Sequence, residues 1–149
     1  MEKVDLSKYH KVGIVTKELA KKADFNFTGV VYAAPGLIKH IKRRHKRGKD
    51  ALDHDIINNI ISVIENIISS PDYIGRHPKK VGTSIEFVKK MGENLLVAVD
   101  VDLSNKYIYV SSLYPISEGK IKNRVNSGRF VKCTDIGMEE VAVTDKKYM

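Results

Sequence analysis

Seven isoleucines spaced for one face of a helix dominate the middle of the chain and limit the folds it can adopt. They are Ile56, Ile57, Ile60, Ile61, Ile64, Ile67 and Ile68. A helix with so apolar a face is stable only when another layer of structure covers that face. Asp53 or Asp55 is expected to cap the helix, and Ser69-Ser70-Pro71 is expected to end it. The segment therefore predicts an amphipathic helix packed on a second layer.

That second layer is expected downstream, where the sequence pattern changes from helical to alternating. Strands are predicted over residues 73–76, 83–89, 94–103 and 106–114, separated by glycines and by Ser104-Asn105. In the third strand, odd-numbered apolar residues from Leu95 to Leu103 alternate with a series that becomes polar at Asp100 and Asp102. The pattern predicts an α+β fold, with N-terminal helices packed on one face of an antiparallel meander of four to five strands.

The length of 149 residues is typical of one domain. Residues 1–34 are expected to form small N-terminal elements, 35–70 two helices, 71–130 the sheet and 131–149 a C-terminal segment. The first of the two helices should begin after Pro35-Gly36 and extend from residue 37 to about residue 47.

The net charge of +8 is concentrated in two segments, residues 39–49 and 120–129, which contain no acidic residue. The remainder of the chain is slightly acidic. Clustered positive charge of this kind is typical of a phosphate-binding surface, although a run of basic residues can also form a solvated face. The segment 117–129 is predicted to be a basic loop that contacts phosphate, or else a disordered element. The candidate nucleic-acid-binding residues are Lys39, Lys42, Arg43, Arg44, Lys46, Arg47, Lys120, Lys122, Arg124 and Arg129.

Other classes of protein fit the sequence poorly. Cys133 is the only cysteine, so no intrachain disulfide can form, and the five histidines show no zinc-type spacing. No metal or cofactor is therefore expected. The apolar stretches are too short to cross a bilayer and the first residues lack an apolar signal core. These features favour a cytoplasmic location, or delivery as part of a larger phage or toxin protein.

Four segments together resemble a known group of nucleases. They are His40-Ile41-Lys42-Arg43-Arg44-His45, the helix ending in Ser70-Pro71-Asp72-Tyr73-Ile74, the strand 95–101, and Tyr109-Val110-Ser111-Ser112-Leu113-Tyr114-Pro115-Ile116. Their order is similar to that of the barnase, EndoU, colicin-nuclease and RelE fold group, most closely its phage-associated branch. The resemblance implies a barnase-like or RelE-like fold and a toxin-like or phage-associated endoribonuclease that acts on tRNA, mRNA or a related RNA without a metal. The positions that match the group's functional pattern are His40, His45, Lys89 or Lys90, and Ser112 with Tyr114. The group commonly has threonine where Ser112 stands.

These residue types suit RNA cleavage by the neighbouring 2′-hydroxyl, which needs a base, an acid and cations near the phosphate. Histidine titrates in the range for either proton transfer. His40 falls on the same helical arc as Arg44 and Arg47, where it is either functional or simply exposed. His45 projects from the apolar side, so it is either a catalytic or a core histidine.

Two further assignments stay open from sequence alone. A two-residue turn at Ser104-Asn105 would put Ser112 and Tyr114 on the dry face of the sheet, whereas the resemblance requires them to be accessible. A β-bulge near Ser111-Ser112 would reconcile the two. Glu86 is expected on the polar face, either as a general base or as an exposed strand carboxylate.

Two functions other than cleavage also fit the charge pattern. The chain could be a non-catalytic module that binds RNA or DNA through its basic helix. It could also bind an acidic immunity protein or antitoxin, which would be compatible with nuclease activity because an inhibitor could cover the same basic surface.

Overall fold

The framework of the protein is a sheet of seven strands, seen in a computed structural model that describes residues 4–45 and 51–133. A 3₁₀ turn at Leu6–Lys8 precedes the first strand. In chain order the elements are β1 His10–Val15, α1 Lys17–Lys22, β2 Gly29–Ala33, α2 Leu37–His45, α3 His54–Ile57, α4 Ile60–Ser69, β3 Tyr73–Gly75, β4 Ser84–Met91, β5 Glu93–Asp102, β6 Tyr107–Pro115, α5 Glu118–Asn126 and β7 Phe130–Lys132.

The strands lie in the order β1-β2-β6-β5-β4-β3-β7, and every pairing is antiparallel except the one between β2 and β6. The predicted meander corresponds to β3 to β6, and the α+β class is confirmed. The prediction of four to five strands was wrong because β1 with β2 extends one edge and β7 extends the other. Pairings between segments that are far apart in the chain cannot be predicted from local periodicity. The pairing of β2 with β6 is also short, because it consists only of Val31↔Ile108 and Tyr32↔Tyr109.

The isoleucine segment forms two helices, α3 and α4, rather than one. Asp53 is the residue that caps the first of them, accepting a hydrogen bond from the His54 backbone N–H at 2.7 Å. The break falls at Asn58 and Asn59, whose side chains compete for backbone hydrogen bonds and disfavour a helix interior. Asn59 Nδ2 donates to the Asp55 carbonyl at 2.8 Å. The helix α4 then packs on β1, β4 and β5 and buries its isoleucines in the main core.

A second and smaller hydrophobic cluster lies on the other face of the sheet. Its buried members are Val88, Leu96, Ile116, Ile121 and Phe130. Ile121 belongs to α5, whose N-terminus is capped by Ser117 Oγ accepting from the Lys120 N–H at 3.2 Å. The prediction of a basic loop over 117–129 was therefore wrong. Helical residues contribute to the apolar clusters on both faces, whereas the sequence pattern predicted helices on one face.

A β-bulge in β6 decides which side chains reach this second face. Val99 pairs with Val110 and Ala98 pairs with Ser112, so Ser111 has no partner in the ladder. The Ser111 hydroxyl donates a hydrogen bond to the Ala98 carbonyl at 3.1 Å. Beyond the bulge, Ser112 and Tyr114 lie on the face opposite the main core. The bulge that would reconcile strand alternation with accessible Ser112 and Tyr114 is thus present.

None of the described helices has both the length and the apolar character needed to cross a bilayer.

Candidate active site

A cavity of about 300 Å³ lies where the end of α2, the end of β6 and α5 meet. It is lined by Arg44, His45, Ser112, Tyr114, Pro115, Ile116, Lys120 and Arg124. The cavity exists because β2 pairs with β6 only as far as Tyr109. The chain then turns into α2, which packs along the remaining part of β6 and brings the last turn of α2 beside Ser112 and Tyr114.

Three of the predicted catalytic residues meet at this cavity. His45 ends α2 and is 6% exposed, so it is both a buried histidine and a lining residue of the cavity. Its two alternative roles, core residue and site residue, therefore do not exclude each other. Ser112 and Tyr114 are half-buried and line the cavity from β6. Together the three residues place one imidazole and two hydroxyl groups at the cavity.

His40 and Lys89 are not brought to the cavity. His40 is exposed on α2, five residues before His45 and so on a different side of the helix. Lys89 pairs with Leu95 and shares the main-core face of the sheet, opposite Tyr114. Its ammonium donates to the Ser70 carbonyl at 2.7 Å and to Ser70 Oγ at 3.1 Å. Lys90 is on the same face as Tyr114 but forms an ion pair with Glu118 at 3.1 Å.

Nine of the ten predicted phosphate-binding residues, all except Arg129, fall into three sets. Arg44, Lys120 and Arg124 line the cavity. Lys39, Lys42, Arg43 and Lys122 are exposed on α2 and α5 outside it. Lys46 and Arg47 lie outside the described residues. The segments that the sequence marked as basic therefore approach each other, with the end of α2 on one side of the cavity and Lys120 and Arg124 of α5 on another.

The Arg124 guanidinium lies over an aromatic ring rather than beside a carboxylate. Its guanidinium carbon lies 5.4 Å from the centre of the Phe130 ring, and its Nη1 is buried without a hydrogen-bond partner in the described part of the chain. Cation–π contact orients the guanidinium while leaving its charge uncompensated. A guanidinium so placed is suited to bind an anion that enters the cavity.

Glu86 and Arg129 form a buried ion pair on the sheet face that bears Tyr114. Glu86 is 2% exposed, because the segments α5 and β7 cover the strand that was expected to expose it. Arg129 was predicted to bind nucleic acid, but its Nη2 donates to Glu86 Oε1 at 2.7 Å and its Nε donates to the Arg76 carbonyl at 2.8 Å. Glu86 was predicted to be either a general base or an exposed carboxylate. Both predictions were wrong, because Glu86 is the buried ion-pair partner of Arg129.

The pKa of Tyr114 is raised above its ordinary value, mainly because burial disfavours the tyrosinate. The negative charge of Glu86 raises it further, while Arg124 and Arg129 act in the opposite direction. At neutral pH the hydroxyl is therefore protonated and able to donate a hydrogen bond.

The remaining lining residues, Pro115 and Ile116, belong to the segment that carries the resemblance but were not predicted as site residues. They follow directly from the strand that carries Tyr114, and Ile116 belongs to the second hydrophobic cluster. Within residues 4–45 and 51–133, no group of three His, Cys, Asp or Glu side chains is arranged to hold a metal ion.

Comparison with known proteins identifies a nuclease family. A protein-family model described as "phage-Barnase-EndoU-ColicinE5/D-RelE like nuclease3" matches residues 10–123. The match includes β1 to β6, α1 to α4 and α5 as far as Asn123, and hence every residue that lines the cavity except Arg124. Searches of curated proteins and of solved structures gave no significant match.

Proposed function

The chain belongs to this phage-associated family of nucleases, and we propose that it is an endoribonuclease that cleaves RNA by attack of the 2′-hydroxyl, without a metal. The observation that carries the proposal is the convergence of His45, Ser112 and Tyr114 on one cavity. The same cavity is lined by three cationic side chains, Arg44, Lys120 and Arg124. A proton carrier, hydroxyl donors and cations are the groups that this reaction needs around a phosphodiester.

In the proposed reaction His45 accepts the proton of the 2′-hydroxyl, and the 2′-oxygen forms a bond to the adjacent phosphorus. The bond from phosphorus to the 5′-oxygen breaks, and Tyr114 donates a proton to that leaving oxygen. The products are a 2′,3′-cyclic phosphate and a free 5′-hydroxyl. The imidazolium of His45 then returns its proton to the tyrosinate through solvent, which restores both groups.

The cations and Ser112 support the charge that builds during this step. Arg44, Lys120 and Arg124 face the phosphate oxygens in the proposed complex, where preorganised charges stabilise the transition state more than water does. The Ser112 hydroxyl donates to one of the same oxygens. Arg124 also offsets part of the cost of a transient tyrosinate at Tyr114, because its positive charge favours that form.

The two histidines of α2 provide a matched test. Purified wild-type protein, His45→Ala and His40→Ala are incubated with total RNA in excess chelator between about pH 5 and pH 8. We expect wild type and His40→Ala to cleave at similar rates, and His45→Ala to lose about 10²- to 10⁴-fold, the range that general acid–base catalysis contributes. An oligonucleotide with a 2′-deoxy residue at the cleavage position should stay intact. RNA that remains whole with the wild-type protein, or equal losses in the two variants, would contradict the proposal.

A second candidate function is a non-catalytic module that binds RNA or DNA. It is favoured by Lys39, Lys42 and Arg43, which are exposed on α2 outside the cavity and add charge that cleavage itself does not require. This function predicts salt-sensitive binding of RNA or DNA that persists in the double variant His40→Ala, His45→Ala. It also predicts that the wild-type protein gives no cleavage product. An acidic inhibitor protein that covers α2 is compatible with either function.

A further inference from the structure

Four tyrosines form one cluster on the sheet face that carries the cavity. Tyr107 lies at its centre, with ring-centroid distances of 5.9 Å to Tyr9, 6.4 Å to Tyr32 and 5.6 Å to Tyr109. All four are half-buried. The hydrophobic cluster beneath α5 reaches Ala98 and Tyr114, whereas the rings of Tyr107 and Tyr109 pack against other tyrosines. Four of the six tyrosines in the described residues thus lie together on one part of the sheet.

The tyrosine cluster and the cavity are continuous along β6. Tyr107, Tyr109, Ser112 and Tyr114 pair with Asp102, Asp100, Ala98 and Leu96, which are alternate residues of one strand and so lie on one face. Without the bulge at Ser111, the cavity residues would be on the opposite face from the tyrosines. The partners of Tyr109 and Tyr114 are four positions apart in β5, a distance of about 14 Å at the rise of an antiparallel strand.

The charges divide this surface into two parts with different chemistry. The cavity is lined by Arg44, Lys120 and Arg124, whereas the neighbours of the tyrosines in β5 are Asp100 and Asp102. Carboxylates repel phosphate, and both oxygens of Asp102 already accept hydrogen bonds from Asn105. Aromatic rings stack with the faces of bases that are not already stacked in a duplex. The cluster is therefore suited to bases and the cavity to the phosphate between them.

We propose that the tyrosine cluster of Tyr9, Tyr32, Tyr107 and Tyr109 binds unpaired bases that flank the phosphodiester held in the cavity, so that the substrate is single-stranded RNA or a loop. This inference rests on the proposed function and specifies its substrate class. A base-paired strand cannot present its faces to the rings, because its neighbours already occupy them.

The test measures the binding of short labelled RNAs whose central nucleotide is 2′-deoxy, so that they are not cleaved. One RNA carries all its bases, a second has abasic residues on both sides of the central dinucleotide, and a third is a duplex. The proteins are wild type, Tyr107→Leu with Tyr109→Leu, and the conservative pair Tyr107→Phe with Tyr109→Phe. Loss of one stacking ring weakens binding by roughly fivefold to 150-fold in other proteins that bind single strands.

We expect the leucine pair to bind the complete RNA at least about tenfold more weakly than wild type, and the phenylalanine pair to stay within about twofold. The abasic RNA should bind wild type weakly and lose nothing more in the leucine pair. Equal affinity of wild type for complete and abasic RNA would overturn the proposal, even if the leucine pair failed to fold. Equal affinity of wild type for the single strand and the duplex would overturn it as well. The proposal would also be overturned if the leucine pair bound RNA as wild type does but no longer bound a protein partner, because the cluster would then be a protein-binding surface.

Cleavage of a dinucleotide separates this proposal from the nuclease proposal, because a dinucleotide needs only the cavity. If the dinucleotide is cleaved but abasic residues do not change binding, the tyrosine proposal fails alone. If tyrosine-dependent binding is found but no RNA is cleaved, the cluster is supported and the nuclease proposal fails.

Discussion

Glu86 Oε1 and Arg129 Nη2 lie 2.7 Å apart, and the Glu86 side chain is 2% exposed. The pair connects the interior strand β4 to the residue that precedes β7, and Arg129 also donates to the carbonyl of Arg76. The negative charge of Glu86 raises the pKa of Tyr114 in the cavity. The second face of the sheet is thus held by a buried charge pair that also acts on a proposed catalytic group.

Replacing Arg129 by methionine should strongly destabilise the protein, because Glu86 would be left buried and without its cation. Breaking a buried pair in this way costs about 3 to 5 kcal/mol in free energy of unfolding. Asp24→Asn breaks the more exposed pair of Asp24 with Arg76, at 2.8 Å, and should cost at most about 1 kcal/mol. Denaturant unfolding of both variants measures the difference. A second change, Glu86→Gln in the Arg129→Met background, should recover part of the loss, and failure to recover any would argue against charge burial as its cause.

Gly75 lets the backbone of β3 approach Arg129 and Phe130 at the start of β7. A Cβ at position 75 would meet the Arg129 carbonyl and the Phe130 ring at distances that folded proteins do not tolerate. Gly75→Ala should therefore lower the free energy of unfolding by about 1 to 3 kcal/mol, the usual cost of overpacking. Gly119 is in α5 with open space around it, so Gly119→Ala should raise stability by up to about 1 kcal/mol. Thermal unfolding distinguishes the two, and a neutral Gly75→Ala would contradict this close packing of β3 on β7.

Local patterns were sufficient to predict the elements that bury one regular face. The isoleucine spacing predicted α4, and the alternation from Leu95 onward predicted β5. The same patterns missed α5, whose single buried residue is Ile121 and whose other positions are largely polar. They also missed the burial of Glu86, which depends on α5 and β7 covering that face. A carboxylate in a strand is predicted to be exposed unless its covering layer is known.

The candidate site was predicted in part for a similar reason. The resemblance pointed to both histidines of the basic helix, and only the structure separates His45, at the cavity, from His40, at the surface. Alternation placed Ser112 and Tyr114 on the wrong face until a bulge was allowed. A bulge changes the register by one residue without changing composition, so the spacing of apolar positions cannot locate it with certainty.

Deleting Ser111 should remove this bulge without turning the end of β6 over, because Val110 and Ser112 already pair with the successive residues Val99 and Ala98. Ser112 and Tyr114 would keep their partners in β5 and stay at the cavity, so we expect cooperative unfolding and RNA cleavage to be retained. Ser111→Ala keeps the extra residue and removes only the hydrogen bond to the Ala98 carbonyl, which should cost about 0.5 to 1.5 kcal/mol. The two variants are compared by thermal unfolding and by cleavage. A deletion variant that loses cooperative unfolding or cleavage would show that the pairing of Ser112 with Ala98 is not sufficient to position the site.

Tyr107 should titrate at a higher pH than an ordinary tyrosine. Burial, followed by its hydrogen bond with Tyr9, raises the pKa of Tyr107 to about 12. Because the folded protein favours the neutral phenol, this contribution to stability is complete below about pH 10 and is lost as the pH rises towards 12. The difference in ultraviolet tyrosinate absorbance between wild type and Tyr107→Phe isolates this residue among the seven tyrosines. A difference signal centred near pH 10 would contradict the prediction.

Charge on α2 should contribute to RNA binding more than the same charge elsewhere. Lys39 and Arg43 are exposed on α2 four residues apart, and Lys17 and Lys21 are exposed on α1 with the same spacing. Replacing either pair by glutamate changes the net charge equally. We expect only the α2 pair to weaken RNA binding strongly at low salt. For each phosphate that the variant no longer binds, the slope of log affinity against log salt should become shallower by about 0.7, the value for single strands. Equal weakening by both pairs would mean that overall charge, and not α2, attracts the RNA.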